Sequence, residues 1–182
     1  MKERLGTKGR VRVRVLSPDG RIKRSKPGLF RRILGFPGKL NDFTFHNVVT
    51  TYGDALLANL AVGGGMTAVD SANGHIEVGT GWTGLSPKDN TGGCNTPTGT
   101  RQGMDNDYPA TKGTLGESAD DKACYRATFP AGSLDATGIN EAALMNASSS
   151  GICLAYAQIT PEVNIGANDI LQIDWEITFY GT

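Results

Sequence analysis

The chain has 182 residues, 38% of them apolar, 7% aromatic and 25 of them glycine. That length suits one domain with a single core; the apolar content is too high for a disordered chain, and the glycines point to short strands joined by long loops. Its net charge of zero hides an asymmetry: residues 1–39 hold 13 Lys and Arg against Glu3 and Asp19, a net +11, and the remainder holds five cations against 16 carboxylates, a net −11.

A basic segment joined to an acidic body is the mark of an arm that docks on something. Residues 11–16 alternate Val-Arg-Val-Arg-Val-Leu. Ser17-Pro18-Asp19-Gly20 then has the residues of a type I turn, and Arg21-Ile22-Lys23-Arg24 follows, which makes a candidate hairpin. Lys26-Pro27-Gly28 breaks it. Leu29 to Gly38 mixes apolar and basic residues between Pro and Gly, too briefly to hold a core of its own, so its apolar groups are expected to insert into a neighbour.

From Asn41 the character changes. Phe43, Phe45 and Val48-Val49 lead to Thr51, read as an N-cap, with Asp54 in the first turn and Ala55 to Leu60 before Gly63-Gly64-Gly65; this predicts the one helix. His75 to Gly81 alternates like a strand. Residues 83–121 are rich in Gly, Thr, Asn, Asp and Pro, a connection long enough to be functional or pinned by partners. Tyr125 to Phe129 reads as a strand, Ile139 to Met145 as a short turn or edge segment, and Ile152 to Ile159 as a further strand. In Ile170 to Tyr180, Leu171, Ile173, Trp175, Ile177 and Phe179 share one face, and Gln172, Asp174, Glu176 and Thr178 the other. A strand with one wet face and turn-rich connections predict a mainly β fold: an antiparallel β-sandwich over residues 41–182, with one short helix and an extended basic arm over residues 1–40.

Catalytic patterns are missing from the sequence. His46 and His75 have no second imidazole or Cys at metal-ligand spacing, and Gly79-Thr80-Gly81 lacks the third glycine and following helix of a dinucleotide site. Asp105-Asn106-Asp107 and Asp120-Asp121 lack calcium-loop spacing, so they read as solvated loop tips. Glu141 stands among apolar residues with no acid, His or metal partner in sequence, which favours a buried or interfacial hydrogen-bonding carboxylate. Cys94, Cys124 and Cys153, odd in number and widely spaced, are read as free thiols. No catalytic, cofactor-binding or metal residue is assigned. The apolar stretch Ala55 to Val62 is far shorter than the ~20 residues of a spanning helix, and no secretory signal is visible, so no membrane partner is expected and the protein is expected to begin in the cytoplasm.

The docking residues are therefore sought in the arm. Arg12, Arg14, Arg21, Lys23, Arg24, Arg31 and Arg32 would supply charge, with Phe30, Ile33, Leu34 and Phe36 as apolar anchors. A nucleic-acid arm is the competing reading, and a solvated tail the third. The arm has the cations for phosphate but neither Tyr nor Trp for stacking on bases.

The body resembles a group of tailed-bacteriophage virion proteins. The resemblance rests on Asn47-Val48-Val49-Thr50-Thr51-Tyr52-Gly53 before a helix, Val78-Gly79-Thr80-Gly81 at a strand end, Ile139-Asn140-Glu141-Ala142-Ala143-Leu144, and the closing strand Ile170 to Phe179. It implies a non-enzymatic structural subunit of a virion. A capsid decoration or cement protein, trimeric and docked on the major capsid protein, is the expectation. A tail, head-tail or fibre component bound to other virion proteins is the alternative, and a nucleic-acid-binding virion protein the second.

Overall fold

The computed structural model describes residues 5–82, 87–90, 92–111 and 121–181. In chain order the elements are β1 (Leu5–Leu16), α1 (Leu29–Ile33), β2 (Asp42–Val49), α2 (Thr51–Ala61), β3 (His75–Gly79), a 3-10 turn (Pro87–Asp89), β4 (Gln102–Gly103), β5 (Ala110–Thr111), β6 (Lys122–Phe129), β7 (Ala136–Met145), β8 (Cys153–Ile165) and β9 (Ile170–Gly181). All strand pairings are antiparallel and form one sheet, in the order β4-β3-β7-β8-β2-β1-β9-β6-β5.

The basic segment does not begin as a free arm. β1 lies between β2 and β9, with Val11 opposite Phe45 on one side and Trp175 on the other. Val11, Val13 and Val15 are fully buried, so the alternation that suggested a hairpin in the arm places every Val in the core and every Arg on the opposite face. The expected two-sheet sandwich is corrected for the same reason. Without β1, strands β4-β3-β7-β8-β2 and β9-β6-β5 would be separate groups; β1 joins them into one curled half-barrel.

The curl brings the sheet's ends together. Asp105, just after edge strand β4, donates its N–H to the Arg126 carbonyl on β6 at 2.8 Å, and its carboxylate accepts from the N–H (2.9 Å) and hydroxyl (2.7 Å) of Thr128. The concave side holds the main core, where Leu171, Ile173, Trp175 and Ile177 of β9 meet the β1 valines, Tyr125 and Phe129. The alternation read in β9 is the one observed, although Phe179 at its end is part-exposed. Each such side chain contributes about 1.5 to 3 kcal/mol on burial.

β7 corrects the reading of Ile139 to Met145 as a turn or edge. It is an interior strand between β3 and β8, and Glu141 through Met145 are buried. The run shows no alternation because both faces are covered: Ala142 and Leu144 join the main core, while Ala143 and Met145 pack with Cys94, Cys153, Tyr156 and Trp82 on the outer side.

α2 is capped by Thr50, one residue before the expected Thr51. The Thr50 hydroxyl accepts from the Gly53 N–H at 2.8 Å and donates to the Cys153 carbonyl at 2.5 Å. A Cβ at Gly53 would stand 2.1 Å from the Leu154 carbonyl oxygen, so the helix lies directly against the β8 backbone. Gly63 (φ 69°) follows the helix end. A second helix, α1, was not expected.

Candidate docking surface

Between β1 and β2 the chain leaves the sheet and returns to it. The Ser17-Pro18-Asp19-Gly20 turn forms as read: the Gly20 N–H donates to the Ser17 carbonyl and the Ser17 N–H to the Arg21 carbonyl, both at 2.8 Å. Ile22 then bridges to Leu16 and Arg24 to Leu40. Ser25 donates to the Lys39 carbonyl at 2.8 Å, and Asn41 to the Lys23 carbonyl at 2.9 Å, so residues 23–25 and 39–41 make a two-stranded neck. A Cβ at Gly38 would lie 1.6 Å from the Ser25 carbonyl oxygen, which is how closely the neck is drawn together. Arg24 Nη1 donates to the Gly38 carbonyl at 3.0 Å across it.

Above the neck, α1 forms a short finger. Its C-terminal end is a Schellman turn: Phe36 donates to the Arg31 carbonyl (2.8 Å) and Gly35 to the Arg32 carbonyl (3.3 Å), with Gly35 at φ 70°. Arg31 Nη1 reaches the Pro37 carbonyl at 3.1 Å. Leu29, Phe30, Ile33 and Leu34 fall on one side of this turn and Arg31 and Arg32 on the other, by the 3.6-residue period.

No residue of α1 is buried. Leu29, Phe30, Ile33, Leu34 and Phe36 are 73, 82, 71, 63 and 57% exposed. They gather five of the eleven large exposed apolar side chains of the described residues into one segment. A contiguous apolar patch of that kind is usually an interaction site, since isolated exposed apolar residues are ordinary but clusters are not. Residues 17–40 carry seven cations against Asp19, a net +6.

The eleven docking residues read from the sequence therefore do not form one surface. Phe30, Arg31, Arg32, Ile33, Leu34 and Phe36 are on the finger. Arg21 is exposed at the turn, 3.5 Å from Asp19. Lys23 and Arg24 belong to the neck, where Lys23 Nζ donates to Asp169 at 2.5 Å and ties the neck to the turn before β9. Burial works to raise the Asp169 pKa, but Lys23 and the Gly166 N–H prevail and hold it below the usual carboxylate range.

Arg12 and Arg14 lie elsewhere, on the convex face of the sheet. Arg12 binds Asp42 through Nε (2.7 Å) and Nη2 (2.6 Å); this hydrogen bonding raises the guanidinium pKa and lowers that of the carboxyl. Arg14 pairs with Asp174, which also accepts from Arg126 Nε at 2.5 Å. Lys122 and Glu176 extend the ladder at 3.4 Å. With Arg10 and Thr44 these groups, Lys122 excepted, line a cleft of about 550 Å³. Leu29 was missed among the anchors, although its i, i+4 spacing to Ile33 matches that of Phe30 to Leu34.

The outer side of β3 and β7 carries a second polar cluster. Glu141, fully buried, accepts from the N–H groups of Gly81 (2.9 Å), Asn95 (3.0 Å) and Thr96 (3.0 Å), and from the Tyr156 hydroxyl. Glu77 accepts from the Cys94 N–H at 2.6 Å and from Arg101 Nε at 2.9 Å. Arg101 Nη1 in turn reaches the Ala147 (3.0 Å) and Ser150 (2.5 Å) carbonyls. Two buried carboxylates thus clasp Gly81, residues 94–96 and Arg101 onto the sheet, and Glu141 is the hydrogen-bonding carboxylate that the sequence indicated. The rest of the long connection read over 83–121, including Asp120, lies partly outside the described residues; Asp105 within it closes the curl. Among the described residues no group of three or more His, Cys, Asp or Glu could hold a metal ion, and His75 Nδ1 lies 2.9 Å from the Asn73 carbonyl. Cys94, Cys124 and Cys153 are free thiols.

The family model described as Podophage GP4 fiber I protein gp80 matches residues 49–177, or 129 of the 182 residues. No curated protein and no solved structure matches the chain. The match takes in α2, the Glu77 and Glu141 clasp and most of the sheet, and begins after β1 and the finger. The chain belongs to the podophage GP4 fiber I protein gp80 family, a phage virion structural family.

Proposed function

We propose that this chain is a non-enzymatic subunit of the fibre apparatus of a phage particle, with the half-barrel as its body and the finger over residues 26–38 as its attachment point. The observation that carries the reading is the finger itself: a folded, basic, apolar-tipped projection that contributes nothing to its own core, on a chain of a fibre family. Burying five such side chains in a neighbour supplies affinity, and the surrounding cations supply orientation and a faster encounter.

Capsid decoration, docked on the major capsid protein as a trimer, differs from this reading chiefly in copy number. The test is quantitative mass spectrometry of purified virions against the major capsid protein. A dozen copies or fewer supports the fibre or tail reading; hundreds of copies replaces it with decoration or cementing of the shell.

A further inference from the structure

We propose that the finger's partner is a different virion protein offering an apolar pocket rimmed by carboxylates, rather than a second copy of this chain. The proposal rests on the reading of the chain as a virion subunit and adds the chemistry of what receives it.

The charge of the finger excludes its own kind. Two fingers packed tip to tip would bring together two segments, residues 26–38, of net +3 each, a like-charge juxtaposition that opposes association. The body is a poor receiver as well, although residues 1–16 and 41–182 together carry a net −6. Asp42, Asp169, Asp174, Glu176 and Glu77 are each already held by an Arg or Lys of the same chain. Glu141 is fully buried under backbone donors. The exposed Asp89, Asp107, Asp135 and Glu162 have no ion pair among the described residues but lie on four separate segments of the chain, whereas Lys26, Arg31 and Arg32 of the finger sit within seven residues of one another. Arg32 and Lys26 have no ion-pair partner among the described residues, and Arg31 meets only a carbonyl.

The shape of the finger favours a protein pocket over an anionic bilayer. The neck and the Schellman turn fix the backbone, so its side chains are presented with little ordering left to do on binding. A fluid bilayer does not exploit that fixed shape, and the finger has neither the Trp nor the Tyr that anchors segments at a membrane surface.

The test uses the full chain and particles assembled without it, with co-sedimentation as the readout. Wild type should bind. The double variant Phe30→Ser/Ile33→Ser should lose about 100-fold in affinity, and Arg31→Glu/Arg32→Glu about 10-fold at low salt, a difference that narrows as salt is raised. If wild type binds and both variants bind equally well, the finger is not the dock, while the virion reading stands. If wild type binds no particles, both fail. Two further arms decide the occupant. Finger-dependent binding to vesicles of phosphatidylcholine and phosphatidylglycerol, without finger-dependent particle binding, would overturn the proposal in favour of a bilayer. Self-association in sedimentation velocity that Phe30→Ser/Ile33→Ser abolishes would overturn it in favour of a second copy. Circular dichroism of each variant checks that the body stays folded.

Discussion

The Tyr156 hydroxyl on β8 donates to the Glu141 carboxylate on β7, beneath a loop whose Gly81, Asn95 and Thr96 N–H groups converge on the same two oxygens. Four donors on one fully buried carboxylate make Glu141 the fastening of the segment that covers the outer core. Replacing it with Ala leaves those donors without their acceptor, at about 1 to 3 kcal/mol for each group that stays dry. Glu141→Ala should therefore lower the urea midpoint strongly, by about 3 kcal/mol or more in stability. Tyr156→Phe should cost about 1 to 2 kcal/mol. An unchanged midpoint for Glu141→Ala would show that the loop does not depend on the clasp.

Gly79 makes the same fastening possible from the other side. A Cβ there would stand 2.5 Å from both Glu141 Oε1 and the Thr96 carbonyl oxygen. Gly79→Ala should destabilise by about 1 to 3 kcal/mol through overpacking. Gly20→Ala, at a turn with open space around it, meets only the strain of its positive φ and should cost less, about 1 kcal/mol. Thermal unfolding of the pair compares the two.

Two deletions in the basic segment should behave oppositely. Removing residues 5–16 takes out a strand paired on both sides and three fully buried valines, so the protein should fail to fold. Replacing residues 26–37 by a Gly-Ser linker removes no buried side chain. It should change stability by about 0.5 kcal/mol or less, like other surface changes. Amide NMR spectra of the two variants distinguish a folded body from a collapsed chain.

Acid should weaken the sheet through Asp42. Its hydrogen bond to Arg12 lowers its folded pKa, against a smaller opposing effect of burial. A carboxyl depressed in the folded state contributes fully above its unfolded pKa, near 3.9, and loses that contribution as pH falls through the folded value. Stability should thus decline below about pH 4, and Asp42→Asn should show a shallower decline. Because Arg12 is about half exposed, the neutral-pH cost of that variant should stay under about 1 kcal/mol.

The buried thiols should show the reverse dependence. Burial first, and then the charges of Glu141 and Glu77, raise the Cys94 pKa; burial and then Glu77 push Cys153 up to about 12. A thiol raised in the folded state adds stability below its unfolded pKa, about 8.5, which is lost as pH climbs through the folded value. Iodoacetamide at pH 8 should leave Cys94 and Cys153 unmodified until the chain unfolds, as peptide mass spectrometry would record.

The sequence by itself determined the local features. The face of β9 was legible because a period of two needs no knowledge of the partner strand, and α2, to within one residue of its cap, because first-turn Asp54 and the terminal glycines act within a few residues. The apolar and basic segment around Phe30 was legible as an exposed element outside the core because Pro and Gly bound it and its length excludes a core of its own. Only the tertiary structure decided that β1 is interior, that β7 is covered on both faces, and that one continuous sheet replaces a sandwich. Arg14 meets Asp174 across 160 positions of chain, and strand pairing is made by backbone groups that every residue carries. The Val-Arg alternation therefore specified which side chains share a face, but not what would lie on either side of the strand. Glu141 was legible as a buried acceptor from its apolar neighbours in sequence, whereas its three backbone donors lie 45 to 60 residues away and are brought to it only by the fold.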